Sequence, residues 1–288
     1  MSEPAISKPS ATTALPQSGR IASRFREISR KGELGIVAYV TAGDPTLAAS
    51  EKIVFAAAEA GADVIELGVP FSDPVADGPT IQRASERALR RGTTLEDVLA
   101  LAGRLRTHTQ VPLVLFSYFN PILQMGLERF AKSAAQSGVD GVLATDLPPE
   151  EAADYRSILH SSRLDTIFLV APTSTDLRIE QIAEASSGFL YVVSRAGVTG
   201  ARDALPAELP ALVRRVRKFT TLPVAVGFGV SLPTHITVLG GIADAAVVGS
   251  ALVGEIEKAD SAEAAAEAVA ERIRILKRAG REGISRRA

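Results

Sequence analysis

Three carboxylates in one short stretch lie where acid–base chemistry could occur. Glu66 interrupts an apolar run at residues 64–67, and Asp73 and Asp77 follow in a loop with two prolines at residues 68–78. A charged side chain in a buried strand is unfavourable unless it has a partner or a function, and such groups are candidates for proton transfer. The alternative is structural: Glu66 would pair with a Lys or Arg elsewhere, and the two aspartates would cap turns.

The composition narrows the chemistry that is available. Hydrophobic residues make up 46% of the 288 residues, enough for a large core, and 32 basic residues balance 33 acidic ones to a net charge of −1. Nucleic acids and anionic membranes favour proteins with a basic excess, so neither is expected as a partner. The sequence contains no cysteine, and its three histidines lack the spacing of metal ligands. We therefore expect neither a thiol nucleophile, nor a disulfide, nor a metal site.

Strands and helices alternate along the chain in eight β–α units. The predicted strands are residues 35–41, 64–67, 112–117, 141–144, 166–170, 189–193, 223–226 and 245–248. They are continuous apolar runs, which are typical of parallel strands that are covered on both faces. Eight such units in about 250 residues predict a (β/α)8 TIM barrel in the α/β class. A doubly wound open sheet is the alternative, but no Gly-rich fingerprint follows the first strand.

The predicted domain organisation is a single catalytic barrel with two tails. Residues 1–19 are rich in Ser, Pro, Thr and Ala and predict a disordered N-terminal tail. Residues 20–280 form the barrel, in which an extra helix at residues 20–30 would cover the bottom, and residues 281–288 form a C-terminal tail. Related segments precede three strands, GADVIEL, GVDGVLA and IADAAVV, and this weak repetition supports a barrel built from similar units.

The active site of such a barrel forms at the C-terminal ends of its strands. Glu66, Asp77 and Asp146 all follow strands there, and the loop at residues 194–208 is long enough to act as a lid. Glycine clusters follow the seventh and eighth strands, where barrels often bind phosphate at a helix N-terminus. No lysine ends a strand, which argues against a Schiff-base aldolase. The residues therefore predict a small phosphorylated substrate and proton transfer by carboxylates.

Several of these segments together resemble the alpha subunit of tryptophan synthase. The most specific is ELGVPFSDPVADGPTIQ at residues 66–82, and the others are VTAGDP at 40–45, SRAGVTGARD at 194–203, GFGVS at 227–231 and GSA at 249–251. The resemblance covers residues 20–280 in the same order. It implies a carbon–carbon lyase of tryptophan biosynthesis, which cleaves indole-3-glycerol phosphate to indole and glyceraldehyde 3-phosphate by a retro-aldol reaction without a cofactor.

The resemblance also implies roles for individual residues. Glu66 resembles the group that protonates C3 of the indole, and Asp77 the group that takes or stabilises the proton on the indole nitrogen. Burial should raise the pKa of Glu66, whereas Asp77, on a mobile loop, should stay ionised until the substrate closes the site. Tyr191 resembles a tyrosine that orients the glutamate, with core packing as the alternative. The residues that would bind substrate are Tyr39, Phe116, Tyr118 and Phe228 around the indole, Thr199 as a hydrogen-bond partner of Asp77, and Gly200, Gly229, Gly249 and Ser250 around the phosphate.

The same resemblance implies a partner. The family forms an α2β2 heterotetramer in which indole passes to a beta subunit, and Asp73 and Pro74 would face that subunit. A cytoplasmic location is expected. Three alternatives stay open from the sequence: a stand-alone lyase that releases indole, a non-catalytic activator of the beta subunit, and another phosphosugar barrel such as a phosphoribosyl isomerase. The presence of both Glu66 and Asp77 argues against the activator, and the lack of a second glycine cluster argues against the isomerase.

Overall fold

The computed structural model describes residues 19–194, 204–227 and 229–285, and within them it contains nine parallel strands. The strands are β1 (Gly35–Thr41), β2 (Val64–Gly68), β3 (Leu113–Ser117), β4 (Gly141–Ala144), β5 (Asp165–Ile167), β6 (Leu169–Val170), β7 (Leu190–Val193), β8 (Val224–Gly227) and β9 (Ala245–Val248). They pair in the order β5-β4-β3-β2-β1-β9-β8-β7-β6, so every two strands that pair are also consecutive in sequence, except β1 and β9.

Helices cover the outside of this sheet. The α-helices are α1 (Arg20–Lys31), α2 (Leu47–Glu59), α3 (Pro79–Arg90), α4 (Leu95–Arg106), α5 (Phe119–Met125), α6 (Leu127–Gln136), α7 (Ala153–Ser161), α8 (Asp176–Ala185), α9 (Leu209–Val216), α10 (Pro233–Leu239), α11 (Ser250–Lys258) and α12 (Ala262–Ser285), with a 3-10 turn at Pro149–Glu151. In the described part of the chain, no helix combines the length and the apolar character needed to cross a membrane.

The barrel closes through the predicted fifth strand. Only Phe168 separates β5 from β6; β5 pairs with β4 on one side, and β6 pairs with β7 on the other. The carbonyl of Phe168 also accepts the backbone N–H of Tyr191 at 3.2 Å. Residues 165–170 therefore act as one strand whose two halves face different neighbours, which confirms the predicted (β/α)8 barrel.

The apolar residues form two clusters, one inside the barrel and one between the strands and the helices. Along β1, Val37 and Tyr39 belong to the inner cluster, whereas Ile36, Ala38 and Val40 belong to the outer one. This alternation follows from the two-residue period of a strand. Because both faces are covered by apolar groups, the strands appear in the sequence as continuous apolar runs.

Helix α1 closes the N-terminal end of the barrel, as predicted. Its side chains Ile21, Phe25 and Ile28 belong to the inner cluster, and the ring of Phe25 lies 5.6 Å from that of Phe189. The helix lies so close to the strand starts that a Cβ atom at Gly35 would be 2.8 Å from Ile28 Cδ1. The apolar face predicted at the start of the chain therefore plugs the barrel.

The three repeated segments share one structural device at this end of the barrel. In each, an aspartate that precedes a strand accepts the first backbone N–H groups of the neighbouring strand: Asp63 from Ile36 at 2.8 Å, Asp140 from Leu113 at 2.9 Å and Asp244 from Val224 at 2.6 Å. Each aspartate also has a cationic partner, namely Lys277, Arg106 and Arg217 respectively. The repetition in the sequence thus reflects how adjacent strands are joined.

Some element boundaries differ from those predicted. A capping acid followed by proline at Asp44–Pro45 predicts a helix start there, but α2 begins at Leu47, and the hydroxyl of Thr46 caps it by accepting the N–H of Ala49. Helix α5 is additional to the eight predicted β–α units, and α12 runs to Ser285, past the predicted end of the barrel at residue 280. Local sequence suggested Asp44 as a cap, but the side chain of Asp44 has a tertiary partner instead.

Candidate active site

A cleft opens at the C-terminal ends of the strands. It is lined by Tyr39, Glu66, Ala76, Asp77, Gly78, Ile81, Phe116, Tyr191, Gly229, Val247, Gly249 and Ser250. Both predicted catalytic carboxylates, three of the predicted aromatic residues and three of the predicted phosphate-binding residues therefore face one cavity. The sequence analysis missed Ala76, Gly78, Ile81 and Val247. The inward position of Val247 could have been inferred from the alternation in β9.

Glu66 lies on β2 and projects into the barrel. It is opposite Tyr39 of β1 and Val114 of β3 in the strand register, and only 1% of its surface is exposed. Among the described residues, neither carboxylate oxygen has a hydrogen-bond partner. Burial alone raises the pKa of Glu66 to about 8, because the ionised form loses its hydration. Glu66 is therefore protonated at neutral pH and can donate a proton, which agrees with the raised pKa expected from the sequence.

Asp77 lies in the loop after β2, directly before α3. It is 7% exposed, and the hydroxyl of Tyr118 donates a hydrogen bond to Asp77 Oδ2 at 3.3 Å. Burial raises the pKa of Asp77 to about 6, although the hydrogen bond from Tyr118 opposes this shift. We expected Asp77 to be ionised on a mobile loop until the substrate closes the site. In the structure without substrate its carboxylate is already buried, yet it is largely ionised at pH 7 and can accept a proton or a hydrogen bond.

Tyr118 contacts the loop of Asp77 and does not line the cleft. Besides donating to Asp77, its hydroxyl accepts the backbone N–H of Ala76 at 2.9 Å, and its ring stacks on Phe71 at 4.9 Å. These contacts hold the loop from the side of β3, the strand adjacent to β2. The sequence analysis placed Tyr118 in the indole slot, whereas in the structure its hydroxyl contacts the loop that carries Asp77.

Tyr39 and Tyr191 line the cleft together with Glu66 and are buried, at 5% and 4% exposure. The pKa of Tyr191 is raised well above its ordinary value, first by burial and then by the nearby charge of Glu66. Glycines make room for both hydroxyl groups: a Cβ at Gly68 would lie 2.1 Å from the Tyr39 oxygen, and one at Gly227 would lie 2.2 Å from the Tyr191 oxygen. Gly68 at the end of β2 and Gly227 at the end of β8 are therefore needed for the packing of these two tyrosines.

Phe116 completes the apolar wall of the cleft. Its ring packs edge-on against that of Tyr39, at a centroid distance of 5.3 Å and an angle of 82°. With Ile81 and Val247 it surrounds the carboxylates with apolar groups. Such a slot suits a flat aromatic molecule and keeps water away from Glu66.

The other end of the cleft is formed by glycines and a helix N-terminus. Helix α11 begins at Ser250, and its N-cap residue Gly249 offers no side chain to the first backbone N–H groups. Gly229, with φ of +87°, lies in the loop after β8 and lines the same cleft as Gly249 and Ser250. Uncapped N–H groups and the helix dipole favour an anion here, so this end fits the predicted phosphate site.

Other predicted positions fall outside this arrangement or outside the described residues. Thr199, Gly200 and Phe228 belong to the part of the chain that the structure does not describe, so their roles stay predictions. Asp146 accepts the N–H of Phe119 at 2.7 Å at the start of α5 and does not line the cleft. Across the residues that are described, no group of three His, Asp or Glu side chains could hold a metal ion.

Comparison with known proteins identifies the family. The sequence profile described as "Tryptophan synthase alpha chain" matches residues 25–281. The tryptophan synthase alpha chain of Citrifermentans bemidjiense is 55% identical over 85% of this chain and 91% of that protein, and the one of Geobacter sulfurreducens is 51% identical over 85% and 92%.

Among solved structures, tryptophan synthase of Mycobacterium tuberculosis superposes with a TM-score of 0.85 at 36% identity, covering 92% of this chain and 99% of that one. The alpha subunit from Legionella pneumophila gives a TM-score of 0.85 at 34% identity, with coverage of 92% and 99%. The chain therefore belongs to the tryptophan synthase alpha chain family.

Proposed function

We propose that Glu66 and Asp77 carry out the family's half-reaction in this chain, the cleavage of indole-3-glycerol phosphate to indole and glyceraldehyde 3-phosphate in tryptophan synthesis. One observation carries the assignment: Glu66 is buried and has no partner among the described residues, and it shares an apolar cleft with Asp77. An acid and a base with pKa values of about 8 and about 6 are the pair that this chemistry needs at neutral pH.

The reaction begins with a proton from Glu66 to C3 of the indole ring. The ring becomes an indoleninium cation, and its N–H donates a hydrogen bond or the proton itself to the carboxylate of Asp77; a proton taken by Asp77 returns to the ring nitrogen when the carbon–carbon bond breaks. The bond between C3 and the hydroxyl-bearing carbon then breaks, its electron pair returns to the ring, and the hydroxyl becomes the aldehyde. The hydroxyl proton goes to the carboxylate that Glu66 has become, so Glu66 regains the proton it gave.

The surroundings of the two carboxylates support these roles. Because Glu66 is dry, its ionised form is a strong base and recovers the proton readily. The Tyr118 hydrogen bond favours the ionised form of Asp77, which is the form that stabilises a cationic ring. We assign Tyr191 to orienting Glu66, and the N-terminus of α11 with Gly229, Gly249 and Ser250 to the phosphate.

The partner is the beta subunit, with which this family pairs in an α2β2 complex. Large exposed apolar side chains lie on the rim of the cleft: Val75 after β2 is 79% exposed, Leu123 after β3 is 53% exposed, and Leu177 after β6 is 66% exposed. Exposed apolar groups around the mouth of a site fit a face that another protein covers. The comparisons do not support the stand-alone lyase or the non-catalytic activator. We also propose a cytoplasmic location, which fractionation of the source cells would test.

The test is an assay of indole release from indole-3-glycerol phosphate by the purified chain, with and without the beta subunit. Glu66→Gln should lower kcat by about 10²- to 10⁴-fold, the range expected for loss of one general acid–base group, without loss of the fold. Asp77→Asn should lower kcat in the same range and leave affinity for the beta subunit intact. The matched control is Asp146→Asn, an acid on the same rim that does not line the cleft. Normal turnover by Glu66→Gln would overturn the assignment.

A further inference from the structure

Four charged side chains join three elements that surround the cleft. Arg87 of α3 donates two hydrogen bonds to Asp44 in the loop after β1, from Nε to Oδ1 and from Nη2 to Oδ2, each at 2.8 Å. Its third nitrogen, Nη1, donates to Glu257 Oε1 of α11 at 2.8 Å. Arg83, one turn earlier on α3, donates to both oxygens of Glu257 at 2.7 Å. We name Asp44, Arg83, Arg87 and Glu257 the clamp.

The clamp differs from an ordinary surface ion pair in its geometry and, at Asp44, in its burial. The side chain of Asp44 is 1% exposed, whereas those of Arg87, Glu257 and Arg83 are 29%, 28% and 50% exposed. Both Arg87–Asp44 and Arg83–Glu257 are bidentate. Bidentate guanidinium–carboxylate pairs fix the direction as well as the distance between their elements. The clamp is therefore a rigid connection between α3 and α11, with two positive and two negative charges.

Both helices that the clamp joins begin at the active site. Helix α3 begins at Pro79, two residues after Asp77, and its N-cap Gly78 and first-turn residue Ile81 line the cleft. Helix α11 begins at the phosphate end, where Gly249 and Ser250 line the cleft. At 1.5 Å per residue, Arg87 lies about 12 Å along α3 from its start, and Glu257 lies about 10 Å along α11 from its start. The clamp thus holds the two helices at similar distances from the cleft.

We propose that the clamp sets the distance between the proton-transfer end and the phosphate end of the active site, which makes Asp44, Arg87 and Glu257 positioning residues. The inference builds on the proposed function. Indole-3-glycerol phosphate is one molecule in which three carbons separate the ring from the phosphate. Its two ends can be bound together only if the start of α3 and the start of α11 have the matching separation. A displacement of about 1 Å between a substrate and its catalytic groups can lower a rate about 10²-fold.

The experiment compares the linked substrate with its two halves. Glu257→Gln removes the charge that both arginines contact, at a position with a 28% exposed side chain, and Arg87→Lys keeps the charge of Arg87 but loses its fork. We expect kcat/KM for indole-3-glycerol phosphate to fall about tenfold in Glu257→Gln and less in Arg87→Lys. The dissociation constants of indole alone and of glyceraldehyde 3-phosphate alone should change less than about twofold, because each contacts only one end of the cleft.

The control is Arg90→Met, which removes an arginine from the same helix. Among the residues that the structure describes, Arg90 pairs only within α3, with Glu86, and both side chains are exposed. It should leave kcat/KM unchanged. Two results would overturn the proposal: unchanged kcat/KM in Glu257→Gln, or equal loss for the substrate and for both halves, which would indicate general destabilisation. Absence of cleavage by the wild-type chain would count against the proposed function instead.

Discussion

The two ends of the barrel differ in how they accommodate buried carboxylates. At the N-terminal end, Asp63 and Asp140 have side chains that are only 8% exposed, yet each accepts a backbone N–H and contacts a cation. At the C-terminal end, Glu66 is 1% exposed and contacts neither kind of group among the described residues. The residue types and the degree of burial are similar, and the partners differ.

The difference separates structural from chemical carboxylates. A buried acid with a full set of hydrogen-bond and ion-pair partners joins structural elements, and these contacts stabilise the fold. A buried acid without partners is unfavourable for the fold unless it is protonated, and this is the state that a proton donor requires. The partnered acids Asp63 and Asp140 thus lie where the chain enters the strands, and the acid without a partner, Glu66, lies where the chain leaves them, in agreement with the division of roles in TIM barrels. Asp44, which is also buried at the C-terminal end, has Arg87 as its partner and belongs with the structural acids.

The largest effect that would test this comparison concerns stability at the N-terminal end. Asp140→Ala leaves Arg106, with a 12% exposed side chain, without its carboxylate, and leaves the N–H of Leu113 without its acceptor. Removing one partner of a buried ion pair costs about 3–5 kcal/mol. We expect that loss in the free energy of unfolding by urea, with kcat unchanged where the variant is folded.

Asp244→Ala is the matched control for that variant. Asp244 makes the same two kinds of contact, to the N–H of Val224 and to Arg217, but its side chain is 35% exposed. Water can replace its contacts, so the loss should be about 1 kcal/mol. Equal losses in the two variants, or a fall of kcat in Asp140→Ala, would contradict the division between the two ends.

The next effect concerns stability at the C-terminal end and depends on pH. In the folded chain the pKa of Glu66 is about 8, against an ordinary value of 4.5. Between these values the folded state binds the proton and the unfolded state does not, so the free energy of unfolding falls as pH rises. At 1.36 kcal/mol per pKa unit, the loss between pH 5 and pH 7.5 is about 3 kcal/mol.

Glu66→Gln cannot ionise and should lack this pH-dependent loss. The measurement is the difference in unfolding free energy between the variant and the wild type at pH 5 and at pH 7.5, without substrate. The variant should gain on the wild type as pH rises. A constant difference would mean that Glu66 has partners that hold it ionised, and the contrast between the two ends would disappear.

The barrel could be predicted because its strands are recognisable in the sequence as apolar runs that alternate with helices. Strands covered on both faces are apolar throughout, and the structure has strands at residues 141–144 and 245–248 with the predicted bounds. The break at Phe168 could not be predicted, since it arises where one strand must face two neighbours in closing the barrel. The aspartates of the repeated segments were visible, but their partners, such as Lys277 for Asp63, lie far away in sequence.

The candidate site could be predicted where a single residue is unusual for its place in the sequence. Glu66 is conspicuous as a charge in an apolar strand, and Asp77 follows in a loop at the expected end of the barrel. What the sequence analysis missed depends on contacts between loops. The hydrogen bond from Tyr118 to Asp77 spans 41 residues, and Asp44 was taken for a helix cap because its bidentate pairing with Arg87 is tertiary. Sequence rules consider contacts between residues that are close along the chain, whereas Tyr118 and Asp44 contact residues more than 40 positions away.

The smallest expected effect concerns two acids at the C-terminal end, Glu66 without a hydrogen-bond partner among the described residues and Asp77 with Tyr118 as its partner. The pH profile of kcat/KM should be bell-shaped, with an acid limb near the Asp77 pKa of about 6 and an alkaline limb near the Glu66 pKa of about 8. Tyr118→Phe removes the hydrogen bond that lowers the pKa of Asp77. Asp77 should then ionise at a higher pH, and the acid limb should move up by about one unit or less.

Tyr155→Phe is the control for that shift. Tyr155 is equally buried and donates a hydrogen bond to the carbonyl of Val142 at 3.4 Å, but it does not line the cleft. Its loss should leave both limbs in place. In Tyr118→Phe the alkaline limb should also stay, because burial alone raises the pKa of Glu66. If the acid limb of Tyr118→Phe does not move, or both limbs move together, then Asp77 is not the base that Tyr118 tunes, and the two carboxylates do not titrate as separate acid and base.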